Sequence, residues 1–408
     1  MSAHPSVADA AGSLDAVNGA AGEDVRIEVA RTLPEVEALR EEWLPLLESS
    51  ITTHPDYYRA VVETEPQVRG PYVLALRRGG RLEAMLLGRF EEVPLPCKLG
   101  YRTFYAPRMR SITIVYEGYL GNVDENAPLL VETLRSALDR GDADVLLFRH
   151  LRVDHPLYRA STNGVGFLSR QHLMRRTICW ERTLPGTYAE FLSSLSKSTR
   201  TGVTRYMKKL ERDYDGRLRL RTFRDADELD DYFKHAEVVA SMSYQRGLGA
   251  GVRDNERQRT RAALSAKNGW FRAYMLYVDD APVAFCGGEG FRERFRYGIP
   301  GYDPDYADYR VGNYVIMKMV EDLCSDSELS VLDFGFGDAE YKRRFGDRSW
   351  YEQDVLVYGR RLRPAFVNVV RTSFFGANSA AMALGRRAGI FSRIKNSWRS
   401  RLRTAPSS

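Results

Sequence analysis

The residues best suited to chemistry lie in the second half of the chain, around Gly312 and between Asp333 and Lys342. Gly312 immediately precedes the apolar series Tyr314, Val315, Met317, Met319, Val320 and Leu323, a spacing close to the helical period. The first turn of such a helix offers unpaired backbone N–H groups and the positive end of a dipole, and a residue without a side chain lets an anion reach them. A pyrophosphate is therefore an expected ligand of Arg310, Val311, Gly312, Asn313 and Tyr314, although one glycine before a helix also serves as an ordinary cap. Asp333, at the end of a predicted strand, can act as a base, orient a neighbour, or cap the turn at Gly335. Lys342 suits an anion or an oxyanion; a solvated lysine beside Arg343 and Arg344 is the alternative. Glu289 sits in the apolar, glycine-rich strand Ala284–Gly290, where burial would raise its pKa towards that of a useful base; otherwise it is an edge position facing water.

Further residues could contact a substrate. Tyr302, Asp303 and Tyr306 stand in the loop before Gly312, where aromatic and hydroxyl groups can line a pocket and a plain Asp-Pro turn explains the acids equally well. Arg200 belongs to a helix with Lys197, Arg205, Lys208, Lys209 and Arg212, able to grip an anion or simply to form a solvated face. Tyr244 and Arg246, with Gln245, end the following helix before Gly247.

The elements that must position these groups read in two passes. A strand at Val25–Ala30, helices over 34–48 and 54–62, a hairpin across Gly79-Gly80, a strand at 111–118, a helix at 126–140 and a strand at 144–149 make the first, closed by 172–183. A basic helix at 191–212, a strand at 217–223, helices over 227–244 and 254–267, a hairpin around Asp279-Asp280, a strand at 295–301, the helix after Gly312 and strands at 329–334 and 351–358 make the second.

At 408 residues and 44% hydrophobic content the chain has material for two domains of ordinary size or one large one. No run of about eighteen apolar residues predicts a membrane span. Residues 1–24, rich in Ala, Gly, Ser and Asp, read as a disordered leader without signal-peptide character, which predicts a cytoplasmic protein. Cys97, Cys179, Cys286 and Cys324 form no C-x-x-C pair and no cluster with the six histidines, so neither a disulfide framework nor a metal site is expected. Residues 360–408 hold eleven Lys and Arg and no acid, leaving −5 for the rest of the +6 total. Aromatic and aliphatic residues interleave with these arginines, the pattern of a helix lying on an anionic membrane or, alternatively, of one that packs back on the domain. No nucleic-acid module accompanies the patch, so no nucleic acid is expected.

The order of elements around Gly312, with Tyr302-Asp303-Pro304-Asp305-Tyr306 before the helix and Asp333-Phe334-Gly335-Phe336-Gly337 through Tyr341-Lys342 after the next strand, resembles the GNAT-fold acyltransferases of the cellulose-biosynthesis (CelD/BcsL) type. The resemblance covers roughly 185–358, and more loosely 25–184. Relatives usually have Ser-Pro-Gly where this chain has Arg310-Val311-Gly312. The resemblance implies an α/β (α+β) fold of tandem GNAT-like domains, each a mixed, mostly antiparallel sheet flanked by helices, with a basic helical tail. It implies divisions at 25–184, 185–359 and 360–408, with the cofactor in the second copy, since acids follow Gly121 where the first copy would bind a phosphate. It also implies acetyl-coenzyme A or a longer acyl-coenzyme A as co-substrate. The thioester would lie between parting strands, with Asp333 at the cleft, Tyr341 protonating the thiolate and Lys342 holding an anion. The acceptor would be a small or lipid-linked amine or hydroxyl of an envelope or polysaccharide precursor. A FemAB-like aminoacyl-tRNA transferase shares this fold and is the alternative enzyme; a non-catalytic subunit of a polysaccharide-synthesis complex is the alternative without catalysis.

Overall fold

Alternating apolar residues and tight turns set the strands, and the computed structural model describes residues 25–99, 102–172, 175–242 and 251–387. In the first half β1 (Val25–Ala30), β2 (Val68–Arg78) and β3 (Arg81–Pro94) pair antiparallel, the β2–β3 turn using positive φ at Gly79 and Gly80 as a tight hairpin requires. Between β1 and β2 lie α1 (Leu33–Ala38), α2 (Arg40–Trp43) and α3 (Pro55–Thr64). The single helix expected over 34–48 is thus broken: the chain leaves α2 into a 3-10 turn at Leu44–Leu46 around Pro45, which has no N–H to continue an α-helix. A short hairpin, β4 (Cys97–Leu99) with β5 (Arg102–Tyr105), stands apart from the main sheet. Then β6 (Arg108–Gly121), α4 (Val123–Arg140) and a parallel β7 (Val145–Arg152) follow, with α5 (Pro156–Thr162) and β8 (Thr177–Thr183).

The second half repeats this order. The basic helix expected over 191–212 is two, α6 (Tyr188–Ser194) and α7 (Lys197–Asp213), because the Ser196 hydroxyl accepts the Thr199 N–H at 3.2 Å and starts a new helix. Next come β9 (Leu218–Phe223), α8 (Leu229–Met242), α9 (Glu256–Lys267), the hairpin β10 (Phe271–Val278) and β11 (Ala281–Phe291), β12 (Arg294–Tyr297) and β13 (Gly301–Tyr302). The helix after Gly312 is α10 (Val311–Cys324), followed by β14 (Val331–Phe336), α11 (Glu340–Phe345), β15 (Arg348–Tyr358) and α12 (Leu362–Arg387).

Among the described residues all strands but β4 and β5 join one sheet, in the order β1-β2-β3-β6-β7-β15-β8-β14-β12-β11-β10-β9, with β13 also on β11. The halves exchange their last strands. β8 follows β7 in sequence yet pairs with β14, and β15 follows β14 yet pairs with β7; β8 and β15 pair with each other at the seam. Separate apolar cores fill the two halves, and a third, containing Trp43, Tyr58 and Phe291, crosses between them. Trp43 is fully buried, its Nε1 donating to the Thr53 carbonyl at 2.9 Å and its ring meeting Tyr58 edge-on. We expect Trp43→Ala to cost about 3–5 kcal/mol in urea unfolding, through lost burial and the cavity left behind.

The start of the basic tail packs back on the first half. Val367 is buried beside Val145 and Tyr358, and Asn368 Nδ2 donates to the carbonyls of Leu168 and Arg170 at 2.8 and 2.9 Å. Among the described residues no helix is long and apolar enough to cross a membrane.

Candidate active site

β12 and β14 run parallel only as far as the pair Arg296 and Asp333. Beyond it the chain after β12 turns towards β11, where the Gly298 N–H donates to the Gly287 carbonyl at 2.8 Å, while β14 shifts register against β8 between Asp333 and Gly335. Gly335 takes a φ of +66° there, a conformation open to glycine at little cost. The opening is a cavity of about 500 Å³ whose lining includes Tyr57 and Tyr116 from the first half and Glu289, Arg296, Asp333 and Lys342 from the second.

Lys342 is a buried ammonium, 7% exposed, rather than a surface lysine. Its Nζ donates to the Phe336 carbonyl at 2.7 Å and the Gly335 carbonyl at 3.3 Å, holding the bulge where β14 departs. Burial lowers its pKa, with the Asp333 carboxylate opposing. Asp333 is itself buried: Oδ1 accepts the Gly335 N–H at 2.7 Å and Oδ2 an Arg294 Nη1 at 3.4 Å. With both oxygens engaged, Asp333 acts as the turn-capping carboxylate and positions Gly335 and Arg294. Glu289 does not face bulk water as an edge residue would; it is half-buried on the cavity, accepts the Ser265 hydroxyl at 2.8 Å and lies opposite Arg296 across the β11–β12 pairing. The neighbouring glycines answer to the backbone more than to a ligand. A Cβ at Gly287 would meet the Arg272 carbonyl at 2.6 Å, and one at Gly288 would collide with that of Arg296. Tyr341 is absent from the lining: its ring packs on Tyr297 and Phe334 at about 6 Å between centroids.

The helix of the expected phosphate site begins at Val311 with Arg310 as N-cap, no side-chain cap and no acid in the first turn. By contrast the equivalent helix of the first half, α4, has Asp124 and Glu125 in its first turn, and Asn122 donates to Glu125 at 2.7 Å. Arg310 has left-handed φ (+55°) and its carbonyl accepts the Tyr314 N–H. Gly312 and Asn313 are half-buried, whereas Val311 and Tyr314 are buried in the core, Tyr314 donating its hydroxyl to Glu211. Only the first-turn backbone and the side chains of Arg310 and Asn313 remain for an anion. None of these five residues lines the cavity. The Tyr302 ring lies 3.4 Å from where a Gly312 Cβ would stand, and Asp303 caps the 3-10 turn through the Asp305 N–H. Tyr306 packs on Tyr214, and Lys209 of α7 sits 4.4 Å over the Tyr309 ring, beside the turn. Arg200 points elsewhere, donating to the Ser193 carbonyl, and Tyr244 and Arg246 lie outside the described residues.

Several site residues carried no recognisable signal in sequence. Tyr57 reaches the cavity from α3, its hydroxyl pKa pushed up to about 12 by burial and then by Glu289. Arg294 and Arg296 bring cations to the strand ends, Arg294 lying 3.6 Å from Glu117 of β6. Glu117 has left-handed φ and accepts the Ser50 hydroxyl at 2.6 Å. Next to this group the His150 ring stacks on Phe336 at 4.3 Å. Glu352, also buried, accepts the Trp350 Nε1 at 2.7 Å, and burial pushes its carboxyl up to about 7. The folded chain therefore holds a proton that the unfolded chain releases near 4.5, so this residue's contribution falls as pH rises between about 4.5 and 7. Glu352→Gln is expected to gain roughly 2–3 kcal/mol on the wild type between pH 5 and pH 8 by urea unfolding. Among the described residues no group of three His, Cys, Asp or Glu could hold a metal ion.

Residues 197–343 match the family model described as an acetyltransferase (GNAT) domain. Among solved structures, FemX is similar over 82% of this chain and 98% of its own, at 12% identity and a TM-score of 0.54. A tandem GNAT protein from the clavulanic acid biosynthesis pathway is similar over 82% and 99%, at 11% identity and a TM-score of 0.48. At these identities the likeness is one of fold. No curated protein sequence matches the chain. Residues 197–343, which hold both the parted strands and the uncapped helix, carry a GNAT acetyltransferase domain, and the protein is an acyltransferase.

Proposed function

We propose that the protein transfers an acyl group, acetyl or longer, from coenzyme A to an amine or hydroxyl of a sugar, peptide or lipid-linked envelope precursor, as a GNAT enzyme of the CelD/BcsL type. The observation that carries this reading is the parting of β12 from β14 beyond Arg296 and Asp333, with a cavity at the gap that reaches both halves. The GNAT domain implies the acyl-coenzyme A co-substrate, and the acid-free first turn of α10 suits its pyrophosphate, with Arg310 and Lys209 at hand for further phosphate charge. The acceptor enters beside Tyr57. Glu289 takes its proton as it attacks the thioester carbonyl, Lys342 donates to the oxyanion, and the C–S bond then breaks. The departing thiolate takes a proton from Tyr341 of α11, the role that the family resemblance assigns to it. Asp333 positions the strand end. Tyr302, Asp303, Tyr306 and Arg200 are proposed contacts to the larger substrates, and the basic tail 360–408 a contact to an anionic membrane from the cytoplasmic side.

One observation favours a second reading. The Tyr302 ring borders the bare face of Gly312, where relatives pair a glycine with Ser-Pro, and a FemAB-like transfer from aminoacyl-tRNA needs no pyrophosphate at this turn. Incubating the protein with acetyl-coenzyme A or with aminoacyl-tRNA and panels of amine, hydroxyl and lipid-linked acceptors, and reading thiol release and acylated product, separates the two. Thiol release that depends on an acceptor supports coenzyme A; transfer only from charged tRNA supports the alternative.

A further inference from the structure

Half of the large exposed apolar side chains among the described residues lie on three adjoining segments: the β4–β5 hairpin, residues 167–168 and the outer face of α12. Leu362 is 91% exposed, Phe366 63% and Phe104 54%, joined by Leu99, Leu168 and Val369. Leu362, Phe366 and Val369 follow the i, i+4, i+7 spacing of one helical stripe. The fold does not use this stripe, because Val367, Asn368 and Arg371 on the other side already attach α12. The segments adjoin: the Phe104 ring meets Phe374 of α12 at 5.9 Å, and Asn368 holds the Leu168 carbonyl.

Charge surrounds the apolar centre. Lys98, Arg102, Arg108, Arg360 and Arg363 are exposed around it. For three of them the nearby acids compensate little, since Arg360 to Asp139 and Arg108 to Glu92 are solvent-exposed contacts of 4.0 and 3.8 Å, and Asp144, 3.7 Å from Arg363, is already paired with Arg110 at 3.0 Å. No acid occurs from residue 360 to 408. A second copy of this chain would set the same positive charge against itself, and phosphates of a nucleic acid leave the phenylalanine and leucine side chains without a partner. Anionic lipid satisfies both features, taking apolar side chains at its acyl boundary and arginines at its headgroups.

We propose that the β4–β5 hairpin and the exposed stripe of α12 form a single docking surface for an anionic lipid bilayer, into which Phe104, Leu362 and Phe366 insert. This goes beyond a charged tail, because it gives the folded hairpin an equal part, and it does not depend on the identity of the acyl acceptor. The test is co-sedimentation of the full chain with phosphatidylcholine vesicles with and without phosphatidylglycerol. Binding is expected only with phosphatidylglycerol, and Phe104→Ser with Phe366→Ser should weaken it about tenfold or more. Thermal unfolding of the double variant checks its fold; Leu362→Ser, at an almost wholly exposed position, serves if the pair disturbs it. The proposal is overturned if the wild type ignores anionic vesicles, or if both variants sediment as the wild type does, which leaves charge alone as the cause. It is equally overturned if light scattering shows the wild type dimeric and the double variant monomeric.

Discussion

Lys342→Met is expected to lower the acyl-transfer rate about 10²- to 10³-fold while leaving acyl-coenzyme A affinity nearly unchanged. The lysine sits at the bulge that separates β14 from β12, spending two of its three N–H donors on the Phe336 and Gly335 carbonyls. The third is free to meet an oxyanion in the cavity that Lys342 lines. A donor fixed in a largely buried site needs no reorganisation when charge develops, and methionine removes it at similar volume. Arginine should not restore the rate, since its planar fork cannot reproduce two carbonyl contacts and a cavity-facing donor from a site built for a point charge. Because burial lowers the pKa of this ammonium, wild-type activity should also decline at a lower pH than an ordinary lysine would impose. Single-turnover rates across pH, with affinity measured separately, check both points. A rate within about threefold of wild type would remove Lys342 from the chemistry.

Glu289→Gln carries the other large effect, a loss of about 10²- to 10⁴-fold in transfer to an acceptor that must lose a proton. Glutamine keeps an oxygen for the Ser265 hydroxyl, so the local geometry survives and only the proton acceptor is lost. The deficit should narrow at alkaline pH for an amine acceptor, which then arrives deprotonated. Equal loss at every pH would mean that Glu289 positions Arg296 or Tyr57 and removes no proton.

Local signals carried much of the architecture. The Gly79-Gly80 and Asp279-Asp280 turns marked both long hairpins, and the apolar period after Gly312 marked α10 almost to the residue. The breaks at Pro45 and Ser196 were equally local, yet the apolar period runs through them and hides them. What could not be read was long-range. Nothing in residues 177–183 or 348–358 tells which half's sheet each strand will join, and their exchange decides how the halves meet. Tyr57 and Tyr116 look like ordinary aromatic residues of a helix and a strand, and only that meeting brings them to the same cavity as Glu289. The chemistry of Lys342 was partly legible, its burial was not, because the adjacent Arg343 and Arg344 make the segment look solvated. Tyr341 shows the reverse: its expected role came from family resemblance, and its ring packs on Tyr297 and Phe334 outside the cavity lining.

The measurement that bears most directly on the acyl-coenzyme A site is calorimetric titration of acetyl- and longer acyl-coenzyme A into the wild type and Gly312→Glu. One-to-one binding by the wild type is expected, with a loss of about a hundredfold or more in the variant, where a carboxylate would occupy the first turn of α10 and repel the pyrophosphate. Absence of heat with every acyl form, or equal affinity in the two proteins, would contradict it.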